Sequence, residues 1–270
     1  MTETPKRKKF RIQDFFEAKA QGKKISMLTA YDSLTAAIFD AAGVEVLLVG
    51  DSLGDNMLSH PSTIPVTLDE MIIATRSVAR ANKYAFVVAD LPFGTYEASA
   101  TQAHASAVRL VKEGYANAVK LEGGAEKRAQ VELLTQSGIP VMGHLGLTPQ
   151  AENMLGGKKI QGVSPRAKDK LISDAIALSE AGVCGIVLEL IPAALAAEVT
   201  AEIKVPTIGI GAGKDVDGQV LVWTDMAGMR AWSPRFARRF AELGIALQEA
   251  AGQYVDSVKD GSFPTEKYSV

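Results

Sequence analysis

The sequence predicts an α/β fold: a (β/α)8 TIM barrel built as a single domain, with an extra helix at its N-terminal end. Three observations predict it. Short β-branched runs alternate with longer segments of helical periodicity, the signature of a parallel sheet covered by helices. The repeats continue without a reversal signal or a dinucleotide fingerprint, which favours a closed barrel over an open doubly wound sheet of fewer strands. The chain, at 270 residues, also has the length of one barrel, about 250 residues, and no linker divides it.

Taken in order, Ile12–Ala20 reads as the additional helix, placed to plug the N-terminal end of the barrel. Ile25–Tyr31 is the first strand, and the helix through Thr35, Ile38 and Phe39 stops at Gly43. Val46–Gly50 is apolar throughout, as expected of a strand buried on both faces. A long polar loop leads from it to a helix starting near Leu68. Ala85–Asp90 and Ala118–Glu122 are the third and fourth strands, with a helix through Ala103, Ala107 and Leu110 between them. Val141–Leu145 is the fifth, followed by a second long polar stretch from Thr148 to Pro165. Gly185–Leu190 and Pro206–Gly211 are the sixth and seventh. Val220–Trp223 is the candidate for the eighth, joined to the seventh by a short glycine-rich link. A last helix is expected over Pro234–Ala251, because Phe236, Phe240, Leu243 and Leu247 fall on one face at helical spacing. The domain reading is a flexible tail over 1–10, the barrel over 11–252 and a C-terminal tail over 253–270.

Composition narrows the function. Apolar residues make up 47% and charged residues 22%, an ordinary globular balance. A net charge of -2 leaves no basic footprint for nucleic acid. The run Lys6-Arg-Lys-Lys9 reads as a solvated tail rather than a binding patch. No apolar window approaches the ~18 residues of a membrane span, and no secretory signal opens the chain. The lone Cys184 rules out an internal disulfide and fits a reducing compartment, so cytoplasm is expected. Cys184 itself reads as inert packing.

The informative pattern is where the apolar runs end. Asp51 and Ser52 follow the second strand, Asp90 ends the third, Lys120 and Glu122 lie on the fourth, His144 on the fifth and Glu189 at the end of the sixth. In a parallel barrel all C-terminal strand ends open on one mouth, so these residues converge there. Charges buried at such a place need partners, a metal or a substrate. Each residue also has a plainer reading. An Asp after a strand can be a helix cap. Lys120 and Glu122 share parity and can form an internal ion pair. His144 can be a hydrogen-bonded core residue, and Glu189 can be an acceptor behind the site. On the functional side, Asp51 and Asp90 on adjacent strands suit Mg²⁺, which prefers oxygen ligands and keeps part of its water. Zinc is disfavoured, because His60, His104, His144 and Cys184 are isolated from one another. Lys120 would neutralise a substrate carboxylate or an enolate. Glu189, set in an apolar run with no evident partner, would have a raised pKa and serve as general base. The run Gly209-Ile-Gly-Ala-Gly213 leaves room for close backbone approach of a phosphate or substrate tail, without the spacing of a nucleotide motif.

Several motifs in one order carry a resemblance: Val49-Gly-Asp-Ser-Leu-Gly54, Ala89-Asp-Leu-Pro-Phe-Gly94, Val119-Lys-Leu-Glu-Gly123, Gly143-His-Leu-Gly-Leu-Thr-Pro-Gln150, Leu188-Glu189, and Ile210-Gly-Ala-Gly213 with Asp217-Gly-Gln-Val-Leu-Val222. From about Ile12 to Phe240 the chain resembles the ketopantoate hydroxymethyltransferase family. It departs at Asp55-Asn56-Met57, where apolar residues are more usual in the family. The resemblance implies a (β/α)8 barrel that transfers a one-carbon unit from 5,10-methylenetetrahydrofolate to 3-methyl-2-oxobutanoate, giving 2-dehydropantoate on the route to pantothenate and coenzyme A. It further implies that Asp51 and Asp90 hold Mg²⁺ with Glu122 supporting the metal site, and that Ser52, Lys120 and His144 join the two aspartates around the keto acid. Glu189 would be the base, the long loops after strands two and five would be lids, and the assembly a large homo-oligomer, often a decamer in this family. Two other readings stay open. One is a Mg²⁺-dependent lyase or mutase on a similar barrel, although the Lys-Lys-Cys-Gly-His stretch of isocitrate lyases is missing here. The other is a non-catalytic barrel that binds a keto acid without metal or forms part of an assembly.

Overall fold

The structure, a computed structural model, describes residues 7–270. Eight parallel strands close into a barrel in the order β1 to β8. They are β1 (Ile25–Thr29), β2 (Val46–Val49), β3 (Phe86–Asp90), β4 (Ala118–Glu122), β5 (Val141–Gly146), β6 (Gly185–Glu189), β7 (Thr207–Ile210) and β8 (Gly218–Leu221). The α-helices are α1 (Ile12–Ala20), α2 (Ser33–Ala42), α3 (Leu53–Met57), α4 (Leu68–Ala81), α5 (Ala100–Lys112), α6 (Arg128–Gln136), α7 (Glu152–Leu155), α8 (Pro165–Ala181), α9 (Ala193–Glu202), α10 (Trp223–Met226) and α11 (Leu243–Lys259). The chain divides into two compact units: one ends at Leu221 and holds all eight strands, and the second is Val222–Val270.

The barrel interior is filled by alternate residues along the strands. Ile25, Met27, Val46, Leu48, Phe86, Val88, Met142, Val187, Ile208 and Val220 form one buried cluster, which also contains Phe15 of α1. Phe15 is fully buried, edge-on to Phe86 at 5.3 Å and to Phe10 at 5.1 Å. The extra helix therefore closes the N-terminal end, as its sequence predicts. Of the tail expected over 1–10, residues 1–6 lie outside the described residues. Arg7 donates to the carbonyls of Asp40 and Val44, and the Phe10 N–H to Tyr84 O at 2.7 Å. Among the described residues no helix is long and apolar enough to cross a membrane.

Two expectations are corrected. The eighth strand begins at Gly218 rather than Val220 and pairs with β1 through Ile25↔Gly218 to Leu28↔Leu221. A side chain at Gly218 would lie 2.5 Å from Ile25 O, so the strand opens on a residue chosen for close approach, not for β propensity. The last helix spans Leu243–Lys259, not Pro234–Ala251. The stretch before it spends backbone bonds elsewhere: Phe240 N–H donates to Met226 O at 2.8 Å and Leu243 N–H to Ala227 O at 2.9 Å. The spacing of Phe236 and Phe240 with the later leucines was coincidental. Two of the glycines of the β7 link, Gly209 and Gly213, are closely packed. Val216 fills the place of a side chain at Gly209, and Ala193 fills that at Gly213.

Candidate active site

Register brings the polar strand ends together. Asp90 of β3 lies beside Lys120 of β4, and Glu122 of β4 beside His144 of β5. Asp51 lies just past β2, after Gly50, and its N–H donates to Asp90 Oδ2 at 3.1 Å. Neither aspartate caps a helix. That role falls to Asp32 after β1, which accepts from the N–H groups of Leu34 and Thr35 at 2.8 and 2.9 Å. Asp51, Asp90, Lys120, Glu122 and His144 are all buried. Lys120 Nζ is 3.3 Å from Asp90 Oδ1, 3.8 Å from Glu122 Oε1 and 3.1 Å from His144 Nδ1. His144 in turn faces Glu122 Oε1 through Nδ1 at 3.3 Å and Glu189 Oε2 through Nε2 at 3.2 Å.

Six of the seven residues singled out from the sequence thus form one connected cluster. The seventh, Ser52, sits beside Asp51, and its hydroxyl is 2.8 Å from the Tyr31 hydroxyl. Glu189 differs from its expectation. Its side chain is 16% exposed and paired with His144, not isolated in an apolar run, because a partner on a neighbouring strand leaves no mark in the local sequence. Its place is fixed by backbone on both sides: Glu189 O accepts from Leu147 N–H at 2.8 Å, and Leu190, at φ 47°, donates to Ile210 O at 2.9 Å. A left-handed non-glycine residue costs about 1–2 kcal/mol, so this exit from β6 is held by its surroundings.

Sequence reasoning missed two residues. Gln150 and Tyr96 are buried in the loops after β5 and β3; Gln150 touches the carboxylates and Tyr96 touches Gln150. Gln150 Nε2 donates to Asp51 Oδ2 at 2.7 Å and Gln150 N–H to Glu122 Oε2 at 3.0 Å, while the Tyr96 hydroxyl lies 2.5 Å from Gln150 Oε1. Gln150 stands at the end of the Gly143-His-Leu-Gly-Leu-Thr-Pro-Gln150 motif; nothing local marks Tyr96. The two long mouth loops meet through Lys158 Nζ and Asp55 Oδ2 at 3.8 Å.

The electrostatics are those of a crowded anionic pocket. Burial raises the pKa of Asp51 well above the usual carboxylate range, and Asp90 and Glu122 push it further. Burial also raises that of Asp90, although Lys120 opposes it. Glu122 is also buried, yet the hydrogen bond and charge of His144, with Lys120, hold its carboxyl below its ordinary value. Burial works against the charge on Lys120, and the three carboxylates outweigh it. Four carboxylates face one ammonium and one imidazolium, an excess that a divalent cation would balance. Asp90 Oδ1 is buried and accepts no hydrogen bond among the described residues; Lys120 stands near it at ion-pair distance only. Both Glu122 oxygens are engaged by Gln150 and His144, so this carboxylate stands behind the other two. Among the described residues no three His, Cys, Asp or Glu side chains converge to hold a metal unaided. Asp51 and Asp90 would need oxygens from water and substrate, as Mg²⁺ sites usually do.

His144 is raised to about 9: burial and Lys120 oppose its charge, and Glu122 and Glu189 on its two nitrogens prevail. A raised basic group stabilises the fold fully below about 6.5 and loses that contribution as pH rises through about 9. The metal-free protein is therefore expected to lose several degrees of Tm over this interval, and His144→Gln to flatten the slope. Equal slopes for the two proteins would contradict the assignment.

Comparison with known proteins bears on this arrangement. A sequence model of the family described as ketopantoate hydroxymethyltransferase matches residues 9–266. The chain belongs to the ketopantoate hydroxymethyltransferase family. A 3-methyl-2-oxobutanoate hydroxymethyltransferase of Thermobifida fusca is 55% identical over 96% of this chain and 92% of its own. One from Saccharopolyspora erythraea is 51% identical over 98% and 90%. The chain is accordingly a transferase of the hydroxymethyltransferase kind. Among solved structures, phosphonopyruvate hydrolase complexed with oxalate and Mg²⁺ superposes with a TM-score of 0.61 at 14% identity, covering 95% of this chain and 92% of that one. A 2,3-dimethylmalate lyase of the PEP mutase/isocitrate lyase superfamily gives 0.59 at 14% identity, covering 96% and 91%. At such identities these likenesses show the shared barrel fold. The family match sets aside the lyase or mutase reading and the non-catalytic one.

Proposed function

We propose that the site converts 3-methyl-2-oxobutanoate to its enolate with the help of Mg²⁺ at Asp51 and Asp90, and that the enolate takes the one-carbon unit of 5,10-methylenetetrahydrofolate to give 2-dehydropantoate. The observation that carries this reading is the buried Asp90 Oδ1 beside Asp51, which accepts no hydrogen bond among the described residues although Lys120 stands 3.3 Å away. The phosphonopyruvate hydrolase structure, with oxalate and Mg²⁺ on a similar barrel, supports it.

Bound there, Mg²⁺ would supply Lewis acidity to the keto oxygen and carboxylate of the substrate. The remaining work falls to this chain's own side chains. Lys120 places a permanent positive charge next to Asp90, where it can face the substrate carboxylate or the growing enolate oxygen. Glu189 takes the proton from C3. Its Oε2 is held by His144, which leaves Oε1 to receive the proton and keeps the carboxylate aimed. C3 then bonds to the folate methylene carbon as one of that carbon's two bonds to folate nitrogen breaks, water displaces the other nitrogen, and the proton taken from C3 and one from water end on the two nitrogens, giving the hydroxymethyl group and tetrahydrofolate. Ser52 and Tyr31 supply hydroxyls at the edge of the site. The loops after β2 and β5 serve as the lids that keep water from the enolate. The same reading includes the homo-oligomeric, cytoplasmic enzyme implied by the family resemblance and by a chain whose only cysteine is buried and unpaired.

Removing either aspartate is expected to weaken Mn²⁺ binding by at least about tenfold, since each supplies a direct ligand. Titration of Asp51→Ala and Asp90→Ala, followed by the loss of free-Mn²⁺ paramagnetic signal, measures it. Wild-type affinity in both variants would remove the metal from this site.

A further inference from the structure

We propose that Gln150 is a positioning residue for Asp51, itself oriented by the hydroxyl of Tyr96, so that one carboxylate oxygen of Asp51 is locked and the other is left for the metal. The inference rests on the reading of Asp51 as a metal ligand.

The orientation of the Gln150 amide follows from its neighbours. One end lies 2.7 Å from Asp51 Oδ2 and 2.9 Å from Leu91 O. Both are acceptors, so this end must be the NH₂ group, and it spends both protons there. The other end is then the carbonyl oxygen, 2.5 Å from the Tyr96 hydroxyl, which must supply the proton between them. That hydroxyl meanwhile accepts the N–H of Glu122 at 3.2 Å. The backbone of Tyr96 is steadied by Gln130 Nε2, 3.3 Å from its carbonyl. Every polar atom of the Gln150 side chain is thus used, and both Tyr96 and Gln150 are buried. Gln150 cannot itself ligate a metal; it acts through Asp51.

Its backbone extends the arrangement. The Gln150 N–H bonds Glu122 Oε2, so one residue ties together two carboxylates that would otherwise repel. Rotation of Asp51 about its carboxylate axis would break the 2.7 Å bond and leave a buried donor without a partner. Partners of this kind behind a metal ligand typically change metal affinity by about 10–100-fold when removed.

The test is Mn²⁺ titration of the wild type, Asp90→Ala, Gln150→Met, Tyr96→Phe and the double variant Gln150→Met/Tyr96→Phe, with thermal melting of each metal-free protein alongside. Gln150→Met is expected to weaken Mn²⁺ binding by about 10–100-fold. Tyr96→Phe should weaken it less, by freeing the amide to turn, and the double variant should bind no more weakly than Gln150→Met alone. A merely structural role would lower Tm and leave Mn²⁺ affinity in place. Wild-type affinity in folded Gln150→Met, or losses that multiply in the double variant, overturns the proposal. Should Gln150→Met fail to fold, Tyr96→Phe decides it alone, and unchanged affinity there overturns it. Equal Mn²⁺ binding by wild type and Asp90→Ala would instead overturn the metal reading, and this inference with it.

Discussion

Glu189→Gln is expected to slow exchange of the C3 proton of 3-methyl-2-oxobutanoate into deuterated water by about 10²–10⁴-fold, the usual contribution of a positioned general base. Binding of metal and keto acid should persist. The substitution keeps shape, and the Gln carbonyl can still accept from His144 Nε2, which faces Glu189 at 3.2 Å. Only the ability to take a proton is lost. The alternative, that Glu189 merely orients His144, predicts that the Gln variant exchanges at about the wild-type rate. A deuterium-exchange time course by proton magnetic resonance, run with saturating Mg²⁺, separates the two. Parallel loss of Mn²⁺ binding would show instead that the substitution had disturbed the aspartates.

Lys120→Met should be the most destabilising of the site substitutions, by about 3–5 kcal/mol, the usual result of removing one partner from a buried ion pair. Lys120 is buried with its ammonium 3.3 Å from Asp90 and 3.8 Å from Glu122. Without it, Asp90, already raised by burial, loses its nearest positive charge. The expected fall in Tm is about 10 °C for a chain of this size. It should shrink as pH is lowered, since a carboxylate with a raised folded pKa is less costly once protonated. Acid should therefore bring the variant towards the wild type. A Tm within about 2 °C of wild type at neutral pH would show that the cluster does not depend on its lysine.

The sequence foretold the site in proportion to how local its determinants are. Strand ends can be seen because an apolar run stops at a charge, and this placed Asp51, Asp90 and Glu189 correctly around one barrel mouth. Period-two alternation put Lys120 and Glu122 on the same face, and both the ion pair and its convergence with Asp90 are present. What was not legible comes from contacts between strands and loops. The His144–Glu189 pair depends on β5–β6 register, which no single strand encodes. Gln150 reaches the carboxylates, and Tyr96 reaches Gln150, from loops with no periodicity to read. The eighth strand was displaced because it begins with a glycine required by close approach to β1. The final helix was misplaced because apolar spacing does not record which backbone groups have been bonded elsewhere.

The central claim is a metal-assisted enolate at the buried aspartate pair, and magnesium-dependent C3 exchange of 3-methyl-2-oxobutanoate without any folate tests it most directly. The expected result is exchange that requires a divalent ion, is removed by chelation and restored by Mg²⁺, and is lost in Asp51→Ala, Asp90→Ala and Glu189→Gln. Exchange that proceeds equally well in the presence of chelator, or that survives loss of both aspartates, would contradict it.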